Sequence, residues 1–288
     1  MTRRRGRRAT HLGSWAIFSD LSGQVMPNLF NPIITAAAVA VPQEIVGLVR
    51  TQVRRRVPTK WKNGGLTGLT ASADVIVKHH LRYAVSQLHV ADDTKWQTYF
   101  KEGTAFHREA LDKVGTPMHF LQPDLVLRME LLTRPVASLL GRLLQAVYSE
   151  TIDEYTVDIE IVADTDLRTQ DTEAHFRLAM LQWPRITRVR LILGLYPTVR
   201  DTRCETEQAE PLLMLPDYLA GVYQHADPRT VLGQPVVTRE EASVGVSELR
   251  RRAGTLLFED SFDFLDVYPL AHDEEGRVVQ TRDQKPLA

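Results

Sequence analysis

Apolar residues fall in short blocks along this chain, and the first block, "WAIFSDLSGQ" (Trp15 to Gln24), breaks off at a carboxylate. Its start reads as a buried strand. Buried strands seldom tolerate an unpaired charge, so Asp20 either stands at the water line or serves something there. "NPIITAAAVAVP" (Asn31 to Pro42) is a continuous apolar run bracketed by prolines and predicts a second strand, covered on both faces, although its alanines equally suit a helix. In "QEIVGLVRTQVRRRV" the apolar Ile45, Val46, Val49 and Val53 recur at helical spacing. Arg50 and Arg54 to Arg56 occupy the other side and the end, where positive charge suits the helix dipole.

"KWKNGGLTGLT" (Lys60 to Thr70) is glycine-rich and predicts a loop, with a helix from Ser72 and a third strand within Tyr83 to Asp93. Helical periodicity covers Lys95 to Leu111 and Leu131 to Tyr148, joined by a connection containing Pro117 and Pro123. "YTVDIEIVADTD" (Tyr155 to Asp166) alternates Val157, Ile159 and Ile161 on one face and ends in two aspartates, as the opening block ends in one. A helix, "EAHFRLAMLQW", then a strand, Arg188 to Pro197, a polar loop, "TVRDTRCETEQAE", and a helix, "PLLMLPDYLAGVYQHA", follow. From Arg239 one more helix and a strand-like end are expected, with a loose charged tail after Ala271. The expected organisation is a basic arm over 1–11, one main domain over 12–238 with a helical insertion near 95–150, and a C-terminal extension over 239–288.

With 288 residues and 43% hydrophobic content the chain can bury a full core. The formal charge of −1 gives no global signature, so affinity for nucleic acid would have to come from a local patch or from metal-bridged phosphate. A single cysteine, Cys204, excludes an internal disulfide and thiolate zinc clusters and points to a reducing, cytoplasmic setting. The longest apolar run, Ile33 to Val41, falls well short of the roughly 18 residues that span a bilayer. "MTRRRGRR" has the charge of a signal-peptide start, but the apolar run after it is short and interrupted by Asp20, which argues against export.

Three acidic residues stand where an element would present them: Asp20 after the first strand, Asp164 after the strand over Val157 to Val162, and Asp217 near the start of a helix. Pro216 is best tolerated in a first helical turn, which would put Asp217 near the positive end of the dipole. Hard cations such as magnesium take oxygen ligands from a few carboxylates and leave positions for phosphate. In two-metal phosphodiester chemistry one ion generates the attacking hydroxide and the other stabilises the leaving oxygen, about 3.5 to 4 Å apart. Asp166 and Asp201 are further candidates, Asp166 being better placed as a turn residue.

In "SDLSG" (Ser19 to Gly23), "ITAAAVAVP" (Ile34 to Pro42), "IEIVADTD" (Ile159 to Asp166) and "LLMLPDYLAGV" (Leu212 to Val222), in that order, the chain resembles the domain of unknown function 3800 family, which is similar to the ribonuclease H-like fold. The likeness runs over roughly residues 12 to 228. It implies an α/β fold with a mixed central sheet, helices on both faces and a helical insertion. It also implies a metal-dependent nuclease in which Asp20, Asp164 and Asp217 bind Mg2+ or Mn2+. Two departures stand out: Leu21 where the family has glutamate, and Met214-Leu215-Pro216 before Asp217 where it has Gln-x-Ala. Loss of one acidic residue opens an alternative, a catalytically lapsed member that binds or regulates.

Other chemistry finds little support. His79 and His80 are adjacent and cannot share a helical face, and His89, His107 and His119 lack zinc spacing. Gly64, Gly65 and Gly68 lack the lysine and spacing of a phosphate loop, and no Gly-x-Ser-x-Gly elbow occurs. "RTQVRRRVPTKWK" (Arg50 to Lys62) concentrates positive charge around Trp61, a mix that can track a phosphate backbone and stack a base. Lys60 and Lys62 are the candidate nucleic-acid contacts.

Overall fold

The first two apolar blocks do become neighbouring strands, and the rest of the sheet is assembled around them. In the computed structural model, residues 9–23, 25, 32–57, 59–90, 93–94, 96–97, 100, 123–145, 154–164, 195–230, 237–263, 270–272 and 278–280 are described. Strand β1 (Ala9–Ser22) pairs antiparallel with β2 (Ile33–Pro42), and β2 antiparallel with β3 (Arg82–His89). On its other side β1 pairs parallel with β4 (Glu154–Asp164), and β4 parallel with β5 (Leu195–Glu205). β6 (Leu257–Asp263) joins β3 in parallel, giving the order β5-β4-β1-β2-β3-β6, in which β2 alone runs against the rest. With helices on both faces this is an α/β fold of ribonuclease H-like topology, extended by β6. A short pair, β7 (Leu270–His272) and β8 (Val278–Gln280), stands apart from the main sheet.

The pleat sends alternate residues to two cores. Ala16, Phe18, Val39, Val41 and Tyr83 meet helices α1 (Val46–Arg56), α2 (Trp61–Lys78), α4 (Met214–Ala226) and α5 (Arg239–Ala253). Ile17, Ala38, Ala40, Ile159 and Ile161 meet Leu132, Val136, Leu139 and Leu143 of α3 (Pro123–Gln145). The expected helix from Leu131 is therefore α3, begun eight residues earlier, and it covers one face of the sheet. The alanine-rich run settles as a strand because Ala36, Ala37, Ala38 and Ala40 are all fully buried between the helical layers. Leu212, Leu215, Leu219 and Val222 are all buried, as their spacing predicts.

Two expectations are corrected. The glycine-rich stretch is helical from Trp61, bent at Gly65, whose φ of 49° and ψ of −140° glycine adopts without the strain another residue would carry. Its glycines serve packing: a Cβ at Gly64 or Gly68 would collide with Tyr218, which lies across the helix. The "polar loop" after Pro197 is instead the body of β5. It tolerates polar residues because it is an edge strand with β4 as its partner, burying Thr202 and Cys204 inward while Arg200 pairs with Asp158 and Arg203 with Glu160 and Asp201. The expected helix over 173–183, residues 188–194 of the expected strand, Asp166, and most of the helix over 95–111 lie outside the described residues, as do His107, His119, the connection with Pro117, most of the basic arm and most of the charged tail. Among the described residues no helix is long and apolar enough to cross a membrane.

One buried amide ties α4 to the sheet. Gln224, 3% exposed, donates from Nε2 to the Ile33 carbonyl at 2.9 Å and accepts from the Thr35 hydroxyl at 2.8 Å. Gln224→Leu takes the acceptor from a buried hydroxyl and is expected to cost about 2 kcal/mol, read as a lower urea midpoint at unchanged slope.

Candidate active site

Parallel strands end at the same edge, and here that edge is acidic. Ser19 lies opposite Ala163 and Asp164 opposite Glu205, so Asp20, Asp164 and the turn after β5 arrive side by side. Asp20 sits inside β1, just short of its end and paired with Ala37, rather than beyond it. Asp217 enters from above the sheet in the first turn of α4, where its Oδ2 accepts from the Trp61 backbone N–H at 2.6 Å. Glu207, in the turn after β5, completes the group; it is 5% exposed.

Electrostatics record the crowding. Asp20 is 7% exposed, and burial first, then the charges of Asp217 and Asp164, hold its pKa well above the usual carboxylate range. The Leu21 N–H, donating to its Oδ1 at 2.7 Å, and the charge of Glu207 act in opposite directions on a smaller scale. Burial likewise pushes Asp217 up to about 6, against the Trp61 N–H and the charge of Lys60 and in concert with Glu207 and Asp164. Burial and like charges both work against ionisation of these carboxylates, and a positive charge close by relieves that cost.

Lys60 supplies the local positive charge. Its Nζ pairs with Glu207 and stands 3.6 Å from Asp164 Oδ2. The chain on either side is pinned to α4: Tyr218 Oη donates to the Thr59 carbonyl at 2.9 Å, and Trp61 N–H to Asp217. Lys60 thus lies among the carboxylates, whereas Lys62 is exposed on the first turn of α2. Trp61 is only 4% exposed and meets Tyr218 and His225 edge-on, so it is core rather than a platform for a base. Arg54, Arg55 and Arg56 are exposed at the end of α1, and Arg50 is occupied by Glu210.

The remaining candidates are engaged elsewhere. Asp201 accepts from Arg203 at 3.0 Å along β5. Leu21, standing where the resemblance has glutamate, is half-buried and packs with apolar groups including Val25, Ile34 and Ala36. His79 bonds to Gln52 at 2.9 Å, and His80 is an exposed turn residue.

In chemical kind the donor set fits a hard divalent cation, since every member is a carboxylate and Asp20 and Glu207 are buried within a group of like charge. As they stand, no three or more His, Cys, Asp or Glu side chains among the described residues are arranged to hold a metal ion.

Topology and site together define a class, an α/β protein of ribonuclease H-like fold that delivers carboxylates to one sheet edge. No family model matches the chain, and neither does any curated protein. Among solved structures it is similar to Bst-RNase HIII in complex with Mn2+, with 13% identity and a TM-score of 0.34, over 85% of this chain and 65% of that one. The matched part is thus less than two thirds of that protein's length.

Proposed function

We propose that this protein is a divalent-cation-dependent nuclease, related to the domain of unknown function 3800 family, that hydrolyses nucleic-acid phosphodiester bonds at the acidic edge. The observation that carries the proposal is the gathering of Asp20, Asp164, Glu207 and Asp217, from three strand ends and a helix start, into one electrostatically coupled group. Asp20, Asp164 and Asp217, joined by Glu207, would hold Mg2+ or Mn2+ through their carboxylate oxygens. Bound metal supplies an activated water and charge stabilisation on the phosphate. The chain's own part is to fix the donors on rigid elements and to hold Asp217 through the Trp61 N–H. Lys62 and Arg54 to Arg56, all exposed, are suited to the flanking phosphate backbone. The group does not need a carboxylate at position 21, because Glu207 brings one from the turn after β5.

The apolar setting of Leu21 favours a second reading, a lapsed member of the same fold that binds without cleaving. Calorimetric titration of Mn2+ into the wild type, together with cleavage assays on single- and double-stranded RNA and DNA with Mn2+, Mg2+ or a chelator, separates the two. Saturable metal binding with cleavage that stops in chelator is the expected result. Metal binding or oligonucleotide binding without turnover would replace the nuclease with the lapsed reading, and absence of both would remove each.

A further inference from the structure

Lys60 is where the sequence pattern predicts a phosphate contact, and the structure puts its ammonium to another use. It pairs with Glu207, lies 3.6 Å from Asp164 Oδ2, and interacts electrostatically with Asp20 and Asp217. One ammonium therefore acts on every member of the acidic group. The backbone around it is fixed: its carbonyl accepts from Asn63 N and Gly64 N at 2.9 Å each, and Thr59 and Trp61 are tied to Tyr218 and Asp217. The side chain is freer, 35% exposed and on a flexible four-carbon stem.

We infer that Lys60 is a built-in counter-ion of the acidic edge, which holds the carboxylates together without metal and is displaced when a divalent cation binds. The inference rests on the metal reading above. An ammonium already paired with these carboxylates competes with an incoming divalent cation, because at a few ångströms in a partly dehydrated setting the repulsion between the two offsets part of the attraction that draws the second one in. The stem allows the ammonium to swing to solvent, while the fixed backbone keeps it near the edge, where a phosphate oxygen would give it a new partner. Lys60 is a positioning residue in the metal-free state and a phosphate contact in the loaded one.

Calorimetric titration of Mn2+ into wild type, Lys60→Met and Lys60→Arg tests the exchange, with thermal unfolding in chelator and in Mn2+ alongside. Lys60→Met is expected to bind Mn2+ about tenfold more tightly, because no ammonium has to leave, and to melt at a lower temperature in chelator with a larger rise on adding Mn2+. Lys60→Arg keeps the charge and should stay near the wild-type affinity. Binding by Lys60→Met alone, with the wild type too weak to measure, supports the exchange in its strongest form. Equal affinity in all three chains overturns the exchange and leaves the proposed metal site standing. No binding to any chain removes the metal reading and the exchange with it. A Lys60→Met chain that stays unfolded at saturating Mn2+ also overturns the exchange, because the cation would then fail to replace the ammonium.

Discussion

Asp217→Asn is expected to lower Mn2+-supported cleavage about a hundredfold or more while making the metal-free protein more stable at neutral pH. Both effects trace to one carboxylate: the proposed reaction needs it to hold the metal, while in the metal-free protein keeping it ionised in a buried setting beside Glu207 and Asp164 is costly. Its pKa is raised from 3.8 to about 6, so the folded state binds this proton more tightly than the unfolded chain does. The sign follows: the associated stability is fully present below about pH 4 and is lost as pH climbs through about 6. A displacement of that size corresponds to about 3 kcal/mol as an upper bound, part of it shared with Asp20, whose pKa moves in the same direction. Asparagine cannot ionise, and its Oδ1 can still accept from Trp61 N–H. In chelator, guanidinium unfolding from about pH 4 to 7 should show a wild-type stability that falls across the window and a variant curve that is flatter and higher at the neutral end. Parallel curves would remove the electrostatic account of the edge.

Gly68→Ala is expected to be the most damaging small substitution in the helical layer, at about 3 kcal/mol, which lowers the melting temperature by several degrees for a domain of this size. The added methyl would enter the ring and hydroxyl of Tyr218, which is fully buried and has nowhere to retreat. Because Tyr218 also holds Thr59, the displacement should loosen the segment carrying Lys60 and weaken metal binding in step. A double-mutant cycle with Tyr218→Ala checks the cause: once the ring is gone, Gly68→Ala should cost little. Additive losses would place the damage elsewhere.

Sequence pattern reports β1, β2, β4 and α4 well because each obeys a local rule: an unbroken or alternating apolar run for the strands, and apolar positions three and four apart for the helix. It fails at α2, where glycine's low helix propensity points to a loop and the reason for glycine is a tyrosine from a distant part of the chain, Tyr218. It fails again at β5, where one strand neighbour and surface ion pairs make a polar composition acceptable. Asp20, Asp164 and Asp217 could be picked out because each sits near the end of an element, and the register and the docking of α4 bring them to one edge. Glu207 carries no such mark; it comes into view only when β5 is a strand running parallel to β4. The place of Lys60 is likewise a tertiary matter, set by the docking of α4 on the start of α2.

The central position of β1 has a consequence for synthesis. β1, β2 and β3 are consecutive and antiparallel, so a nascent chain can zip them together as soon as His89 is available. The far side of β1, however, waits for β4, which begins only at Glu154. Until then a long apolar strand presents its unpaired backbone to any other strand nearby, and the half-made sheet is exposed to aggregation. Cover by α3, which is translated before β4, shields the face of that sheet but not its open side.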